Sequence, residues 1–266
     1  MAREPAVAAV DDVDEWGRSE HMCDVFHRAF DPIYRRWFRA RWEGLEHIPR
    51  SGGALLVANH AGAVPADGPV IMHGIEKEVG RPLYVLADYT FWSLPVAGTV
   101  FARMGGVAAH PANAHRLLHD EGCLALVYPE GTKGTGKLMG ERYQLRRFGR
   151  GGFVEIALRT GSPIVPVAVV GSEEIYPKIG ESPLLARAIG APYFPLTPTF
   201  PWLGPLGVVP LPSKWRLEFG QPIPTDEYGP DAAEDRALVF ELTERVRDEI
   251  QRMVYENLLK RGRAFI

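Results

Sequence analysis

The run Ala54-Leu55-Leu56-Val57-Ala58-Asn59-His60 decides the fold class of this chain. Five apolar residues without polar alternation, closed by an amide and an imidazole, are typical of a strand buried on both faces of a parallel sheet. Similar apolar runs, each bounded by turn residues, lie at 83–87, 124–128 and 164–170, and a further strand is predicted at 215–219. The intervals between the first four predict helices at about 66–79, 91–104, 111–121 and 151–160. This alternation predicts an α/β fold with a mainly parallel central sheet flanked by helices.

Two segments lie outside this alternation. Aromatic residues recur at helical spacing between arginines in the first 44 residues, which predicts N-terminal amphipathic helices over 1–44. There Asp31-Pro32 favours the start of a second helix. Residues 45–266 are then one α/β domain, closed by a long amphipathic helix and containing an apolar, Pro/Gly-rich loop at 182–212. The apolar face of the helix and the aromatic residues of the loop are Val239, Leu242, Val246, Ile250, Met253, Tyr193, Phe194, Phe200 and Trp202.

The composition narrows the function classes. A chain of 266 residues with 46% hydrophobic and 24% charged residues suits a single globular domain. The formal net charge of −3 provides no basic field, so no nucleic-acid partner is expected. Cys23 and Cys123 give no disulfide framework, which fits a cytoplasmic location. Residues 1–13 lack the order of a secretory signal and no run of about eighteen apolar residues occurs, so any contact with lipid is expected at the membrane surface.

The first candidate cluster is Asn59-His60 at the end of the first predicted strand, followed by Asp67. A neutral imidazole accepts a proton from a hydroxyl near pH 7, and it does so best when a carboxylate fixes its other ring nitrogen. Pro65 is typical of a helix start, which would place Asp67 in the first turn. The alternative is structural: a histidine that ends a strand and an aspartate that caps a helix.

The second cluster is Tyr128-Pro129-Glu130-Gly131-Thr132-Lys133, at the end of the third predicted strand. Its glycines allow a ligand to approach the backbone closely, Lys133 and Lys137 suit a phosphate, and Glu130 suits a substrate hydroxyl. Taken alone, this stretch is an ordinary turn.

Together the two clusters resemble the lysophospholipid/glycerolipid acyltransferase family, whose typical member is a 1-acylglycerol-3-phosphate acyltransferase. That family carries an Asn-His…Asp block, a Phe/Tyr-Pro-Glu-Gly-Thr block and a Val-Pro-Val block in this order, and the chain has Val165-Pro166-Val167 as the third. The resemblance covers roughly residues 45–225. Two departures stand out. The family spacing is His-x-x-x-x-Asp, whereas six residues separate His60 from Asp67, and His110 stands where the family has a phosphate-binding arginine.

The resemblance implies an O-acyltransferase of phospholipid biosynthesis or remodelling that acts at the inner face of the membrane. His60 and Asp67 would be catalytic, and the acyl group would pass from acyl-CoA or acyl-carrier protein to a hydroxyl of a lysophospholipid. No resident cofactor and no metal are implied. The substrate-binding candidates are Glu130, Gly131, Thr132, Lys133, Arg103 and Arg116. The alternatives are transfer to a neutral glyceride or another lipid alcohol, and a catalytically inactive lipid-binding protein.

Each of three further features allows two interpretations. His115 and His119 would share a helix face and invite a metal site, although a solvated helix is the simpler interpretation. The N-terminal aromatic helix suits either a protein core or a membrane interface. Loop 182–212 suits either a packed lid or contact with lipid or an acyl chain.

Overall fold

The structure, a computed structural model, describes residues 12–60, 62, 66–89, 92, 95–189 and 194–265. The helices of this part are α1 (Glu20–Pro32), α2 (Asp67–Glu78), α3 (Pro95–Arg103), α4 (Pro111–His115), α5 (Thr132–Thr135), α6 (Gly152–Thr160), α7 (Pro183–Ile189) and α8 (Arg236–Arg261). Its strands are β1 (Arg41–Glu43), β2 (Ala54–Ala58), β3 (Leu83–Ala87), β4 (Gly106–Ala108), β5 (Leu124–Val127), β6 (Ile164–Val170), β7 (Gly180–Glu181), β8 (Pro195–Leu196) and β9 (Arg216–Phe219).

Within the described residues, seven strands form the central sheet in the order β1-β9-β6-β2-β5-β3-β4. Neighbouring strands are parallel except β6 and β9, which are antiparallel. All residues of β2 and β6 are buried, as their unbroken apolar runs predicted. The predicted α/β fold with a mainly parallel sheet is therefore confirmed.

Two hydrophobic cores lie on the two faces of this sheet. Alternate residues of β2 point to opposite faces, so Leu55 belongs to the core that contains α6 and α8, whereas Leu56 belongs to the core that contains α2. Helix α8 buries all five of the apolar residues that the sequence assigned to its inner face. Each large side chain buried in this way contributes about 1.5–3 kcal/mol to folding. The sheet is thus held rigidly between two layers of helices.

Two strands of the central sheet escaped prediction, β1 and β4. Strand β1 has three residues and none of them is buried, and β4 has three residues that begin with Gly106. Neither strand is long enough to show a period in the sequence. Both lie at the ends of the strand order, so the strands that carry the central clusters are unaffected.

The N-terminal helix differs from the prediction at Asp31-Pro32. A new helix does not begin there, because α1 extends to Pro32 and continues as a π-helical turn over Ile33–Trp37. Pro32 has no N–H to donate, yet the helix passes through it, and the π-helical turn closes with a bond from the Phe38 N–H to the Ile33 carbonyl, 2.8 Å long. Phe38 is buried against Trp215, with ring centroids 4.9 Å apart.

A polar network joins α1 to α2. His27 Nδ1 lies 2.9 Å from His73 Nδ1, and His27 Nε2 lies 2.8 Å from Glu76 Oε2. Arg18 pairs with the same carboxylate at 2.9 Å, and His73 Nε2 lies 3.2 Å from Asp31 Oδ1. Burial lowers the pKa of His73 below its usual value. The two imidazoles thus lie within hydrogen-bond distance of each other, and each also faces a carboxylate.

Loop 182–212 contains α7, β8 and a short 3₁₀ helix at Gly204–Val208, while Tyr193 lies outside the described residues. Its apolar side chains are exposed to a large extent: Trp202 by 68% and Leu206 by 72%. Trp37 Nε1 donates to the Pro210 carbonyl at 2.8 Å, which joins the end of the N-terminal helical segment to this loop. Among the described residues, no helix combines the length and the apolar character needed to cross a bilayer.

Candidate active site

His60 is held in place by the residue before it. Asn59 is buried at the end of β2, where its Nδ2 donates to the Val169 carbonyl at 3.0 Å and its Oδ1 accepts the Val169 N–H at 2.7 Å. The side-chain amide thus continues the pairing of β2 with β6 by one more step. His60 therefore leaves the sheet from a fixed point at the carboxyl ends of parallel strands, where α/β folds bind ligands.

His60 and Asp67 meet despite their longer spacing. Asp67 is the first residue of α2, its side chain is only 1% exposed, and its Oδ2 lies 2.8 Å from His60 Nδ1. The helix N-terminus favours the ionised carboxylate. Because Nδ1 faces Asp67, Nε2 is the ring nitrogen available to take a proton from a substrate. Pro65, the predicted helix start, lies outside the described residues, and α2 begins at Asp67.

Glu130 contacts the backbone of His60. Its Oε1 accepts the His60 N–H at 3.1 Å, and its Oε2 accepts the Arg146 N–H at 2.6 Å. Lys137 Nζ lies 2.8 Å from the same Oε2, and both side chains are buried. The carboxylate expected to orient a substrate hydroxyl is thus surrounded by protein groups. The ammonium of Lys137, expected to meet a phosphate, points into the protein.

Tyr128 of the second cluster and Gly134, which follows the cluster, also pack against His60. The ring of Tyr128 stacks on the imidazole with centroids 4.2 Å apart, and burial raises the pKa of the Tyr128 phenol well above its usual value. Gly134 lies behind the histidine, since a Cβ at this position would be 2.7 Å from the His60 carbonyl oxygen. The second cluster therefore surrounds the histidine of the first.

The remaining candidates of this cluster lie at the surface turn. Gly131 adopts φ +55° and donates its N–H to the Tyr128 carbonyl at 3.0 Å, so the left-handed conformation favours glycine there. Thr132 begins α5, and its side chain lies outside the described part of the chain. Lys133 is exposed.

The structure does not bring Arg103 or Arg116 to His60. The Arg103 carbonyl accepts the Ser19 N–H at 2.9 Å, while Arg116 forms ion pairs with Glu15 and Glu121. Both arginines thus contact the N-terminal segment 12–19. His110, in the position of the family's arginine, accepts the Ala112 N–H at 3.2 Å and caps α4.

His115 and His119 lie on one face of the α4 region with ring centroids 5.1 Å apart, and His115 Nδ1 lies 3.9 Å from Asp120 Oδ1. Over the described residues, no group of three or more His, Cys, Asp or Glu side chains is arranged to hold a metal ion.

A family model described as Acyltransferase matches residues 39–170, the range that contains His60, Asp67 and Glu130. The chain is also 48% identical, over 256 residues, to an uncharacterized protein of Mycobacterium tuberculosis. That match covers 95% of this chain and 71% of the relative. The chain belongs to the acyltransferase family.

Two relatives add detail. The human DGAT1/2-independent enzyme synthesizing storage lipids is 25% identical over 221 residues, which cover 82% of this chain and 61% of that protein. The solved structure of the 1-acyl-sn-glycerophosphate (LPA) acyltransferase PlsC from Thermotoga maritima matches with a TM-score of 0.57 at 21% identity. That match covers 91% of this chain and 80% of PlsC, and it supports the fold.

Sequence reasoning missed the support of this site. The sequence shows Asn59 only as part of a motif, and the contact between Glu130 and the His60 backbone leaves no signal in the spacing. The burial of Glu130 and Lys137 has no signal either, because Lys133 lies between them in a stretch of Gly and Thr.

Proposed function

We propose that this protein transfers a fatty acyl group from an acyl thioester, acyl-CoA or acyl-carrier protein, to a hydroxyl of a lysophospholipid or related glycerolipid. The observation that carries the proposal is the His60–Asp67 pair, with Nδ1 and Oδ2 2.8 Å apart at the carboxyl ends of the strands. Membership of the acyltransferase family sets the reaction class, and the pair supplies a base for it.

The reaction follows from this geometry. His60 Nε2 takes the proton of the acceptor hydroxyl while that oxygen attacks the thioester carbonyl carbon. The tetrahedral intermediate collapses, the C–S bond breaks, and the imidazolium returns the proton to the thiolate. Asp67 remains ionised and stabilises the imidazolium throughout. The products are the acylated lipid and the free thiol, and no acyl-enzyme forms.

The protein meets its lipid substrate at the membrane surface in this proposal, at the inner face. Trp37 and the loop residues Trp202, Leu203, Leu206 and Val209 form an exposed apolar ridge. Exposed Arg35 and Arg36 precede Trp37. Aromatic and aliphatic side chains suit the headgroup boundary, and arginines suit anionic lipid, so the ridge has the composition of an interfacial contact.

A neutral acceptor is the second candidate. No arginine stands at His110, whose ring caps α4, and the candidate arginines 103 and 116 contact segment 12–19. The human relative is named as an enzyme that synthesizes storage lipids. These observations favour a glyceride or another lipid alcohol over a glycerol phosphate.

Thiol release from palmitoyl-CoA on anionic liposomes tests the proposal. Wild type, His60→Ala and the control His115→Ala are compared with lysophosphatidate, other lysolipids, monoacylglycerol and diacylglycerol as acceptors. Acceptor-dependent release that falls by about two to four powers of ten in His60→Ala and persists in His115→Ala supports acyl transfer. Release that needs no acceptor would indicate a thioesterase. Lipid binding without release from palmitoyl-CoA or palmitoyl carrier protein would indicate an inactive lipid-binding protein.

A further inference from the structure

Lys137 lies too deep in the protein to meet a substrate, yet it carries a charge. Its side chain is 2% exposed, and that of Glu130 is wholly buried. A buried ammonium is costly unless a carboxylate lies against it, and the same holds for a buried carboxylate. Nζ lies 2.8 Å from Glu130 Oε2, so each buried group has a partner of opposite charge against it.

The negative charge of Glu130 strengthens the hydrogen bonds that this carboxylate accepts from the backbone. Both of its oxygens accept backbone N–H groups, one from His60 and one from Arg146. An ionised carboxylate accepts strongly at both oxygens, whereas protonation turns one oxygen into a donor and weakens it as an acceptor. Hydrogen bonds to an ionised acceptor are also about twice as strong as neutral ones. The ammonium of Lys137 thus keeps Glu130 in the form that holds the His60 backbone.

A second carboxyl group shares the ammonium. Glu173 Oε1 lies 3.8 Å from Lys137 Nζ and accepts the Tyr143 N–H at 3.0 Å. Burial raises the pKa of Glu173 to about 7, so near neutral pH much of it carries a proton. Beyond it, Glu174 pairs with Arg261 at 2.8 Å. Lys137 Nζ therefore pairs mainly with Glu130, whose Oε2 lies 2.8 Å away, rather than with Glu173, whose Oε1 lies 3.8 Å away.

We infer that Lys137 is a positioning residue for acyl transfer, which acts through Glu130 to hold His60 in its working place. The inference rests on the proposed function, since it assigns His60 the role of base. It assigns Lys137 no contact with substrate.

The test is Lys137→Met, which keeps the length of the side chain and removes the charge. Glu130 is then expected to take up a proton near pH 7, which weakens its hold on the His60 N–H. The kcat at about pH 7 falls by about 10- to 100-fold, because a misplacement of roughly 1 Å costs a catalytic group up to about 100-fold. Raising the pH to about 9 ionises Glu130 again, so the ratio of variant to wild-type activity at the same pH should rise toward one.

Lys178→Met is the matched control. Lys178 is also buried and donates to the Gly136 carbonyl at 2.9 Å, but its ion pair is with Glu181. The control is expected to lower stability without adding a new ionisation to the pH profile. If both variants lose activity equally at every pH, Lys137 is an ordinary packing residue and the inference is overturned. A Lys137→Met variant within about threefold of wild type at pH 7 would overturn it as well.

A second readout needs no activity. The amide resonance of His60 in ¹⁵N-labelled protein, assigned by its loss in His60→Ala, is followed against pH without substrates. In Lys137→Met it should show an additional ionisation step, with the pKa seen in the kinetics, that wild type lacks. Identical titration curves for the variant and wild type overturn the inference even if wild type transfers acyl groups. An additional step in the variant supports the hold on His60 even if the proposed function fails.

Discussion

Replacing Asp67 by asparagine removes one charge from the site and almost nothing else. The carboxylate lies at the start of α2 with its side chain 1% exposed, and asparagine has the same shape. Its amide, however, can donate to His60 Nδ1 and so stabilise the tautomer whose Nε2 carries the proton. That tautomer cannot act as a base toward the acceptor hydroxyl.

The expected loss of activity follows from the distance between His60 and Asp67. The Nδ1–Oδ2 separation of 2.8 Å puts the two charge centres roughly 4 Å apart once the imidazolium forms. At an effective dielectric constant of about 20, their attraction is about 4 kcal/mol. Since about 1.4 kcal/mol corresponds to tenfold in rate, Asp67→Asn should lower kcat by about 10³-fold.

The assay is thiol release from palmitoyl-CoA under saturating acceptor, with circular dichroism as a check of folding. Asp235→Asn is the control, because Asp235 caps α8 through the N–H groups of Ala237 and Leu238, and asparagine caps equally well. Its activity should equal that of wild type. If Asp67→Asn keeps its activity within about threefold while folded, the carboxylate plays no part in catalysis and the dyad is refuted.

Three further outcomes are expected. Burial lowers the pKa of His73, so the stability that its neutral form contributes is present above pH ~6.5 and is lost as the pH falls below that value. The Tm of wild type should therefore drop below pH ~6.5, and the drop should be smaller in His27→Asn. Asn59→Leu leaves a buried N–H and C=O unpaired and should lower the free energy of unfolding by about 2–5 kcal/mol in urea titrations. Gly134→Ala, whose Cβ meets the His60 carbonyl oxygen, should lower kcat about tenfold, whereas Gly140→Ala, which points into open space, should not.

The sequence predicts the central strands of the sheet better than its edge strands. An unbroken apolar run such as 164–170 is explained by burial on both faces, and burial follows from the parallel neighbours of the strand. Strand β1 has no such signal, because its residues are half-exposed and its pairing with β9 depends on chain segments far apart in sequence. The antiparallel direction of β9 likewise depends on the path of the chain after β6.

The candidate site was predicted in part for a related reason. Chemistry selects residue types, so His60 and Asp67 stand out in the sequence even at an unusual spacing. The residues that hold His60 in place are those close to it in the folded chain, and closeness across the sheet leaves no pattern in the sequence. Glu130 is an example, since its contact with the backbone of His60 spans seventy positions.

The way His60 and Asp67 are anchored bears on how such sites diversify. Asn59 and Glu130 fix the histidine from the sheet side, and the helix α2 fixes the aspartate from its own first turn. Neither anchor depends on the number of residues between the two. Insertions and deletions in that connection should therefore be tolerated during evolution. A sequence search that demands one fixed interval between histidine and aspartate would overlook members that keep the pair, and an engineer could replace the connection without moving either side chain.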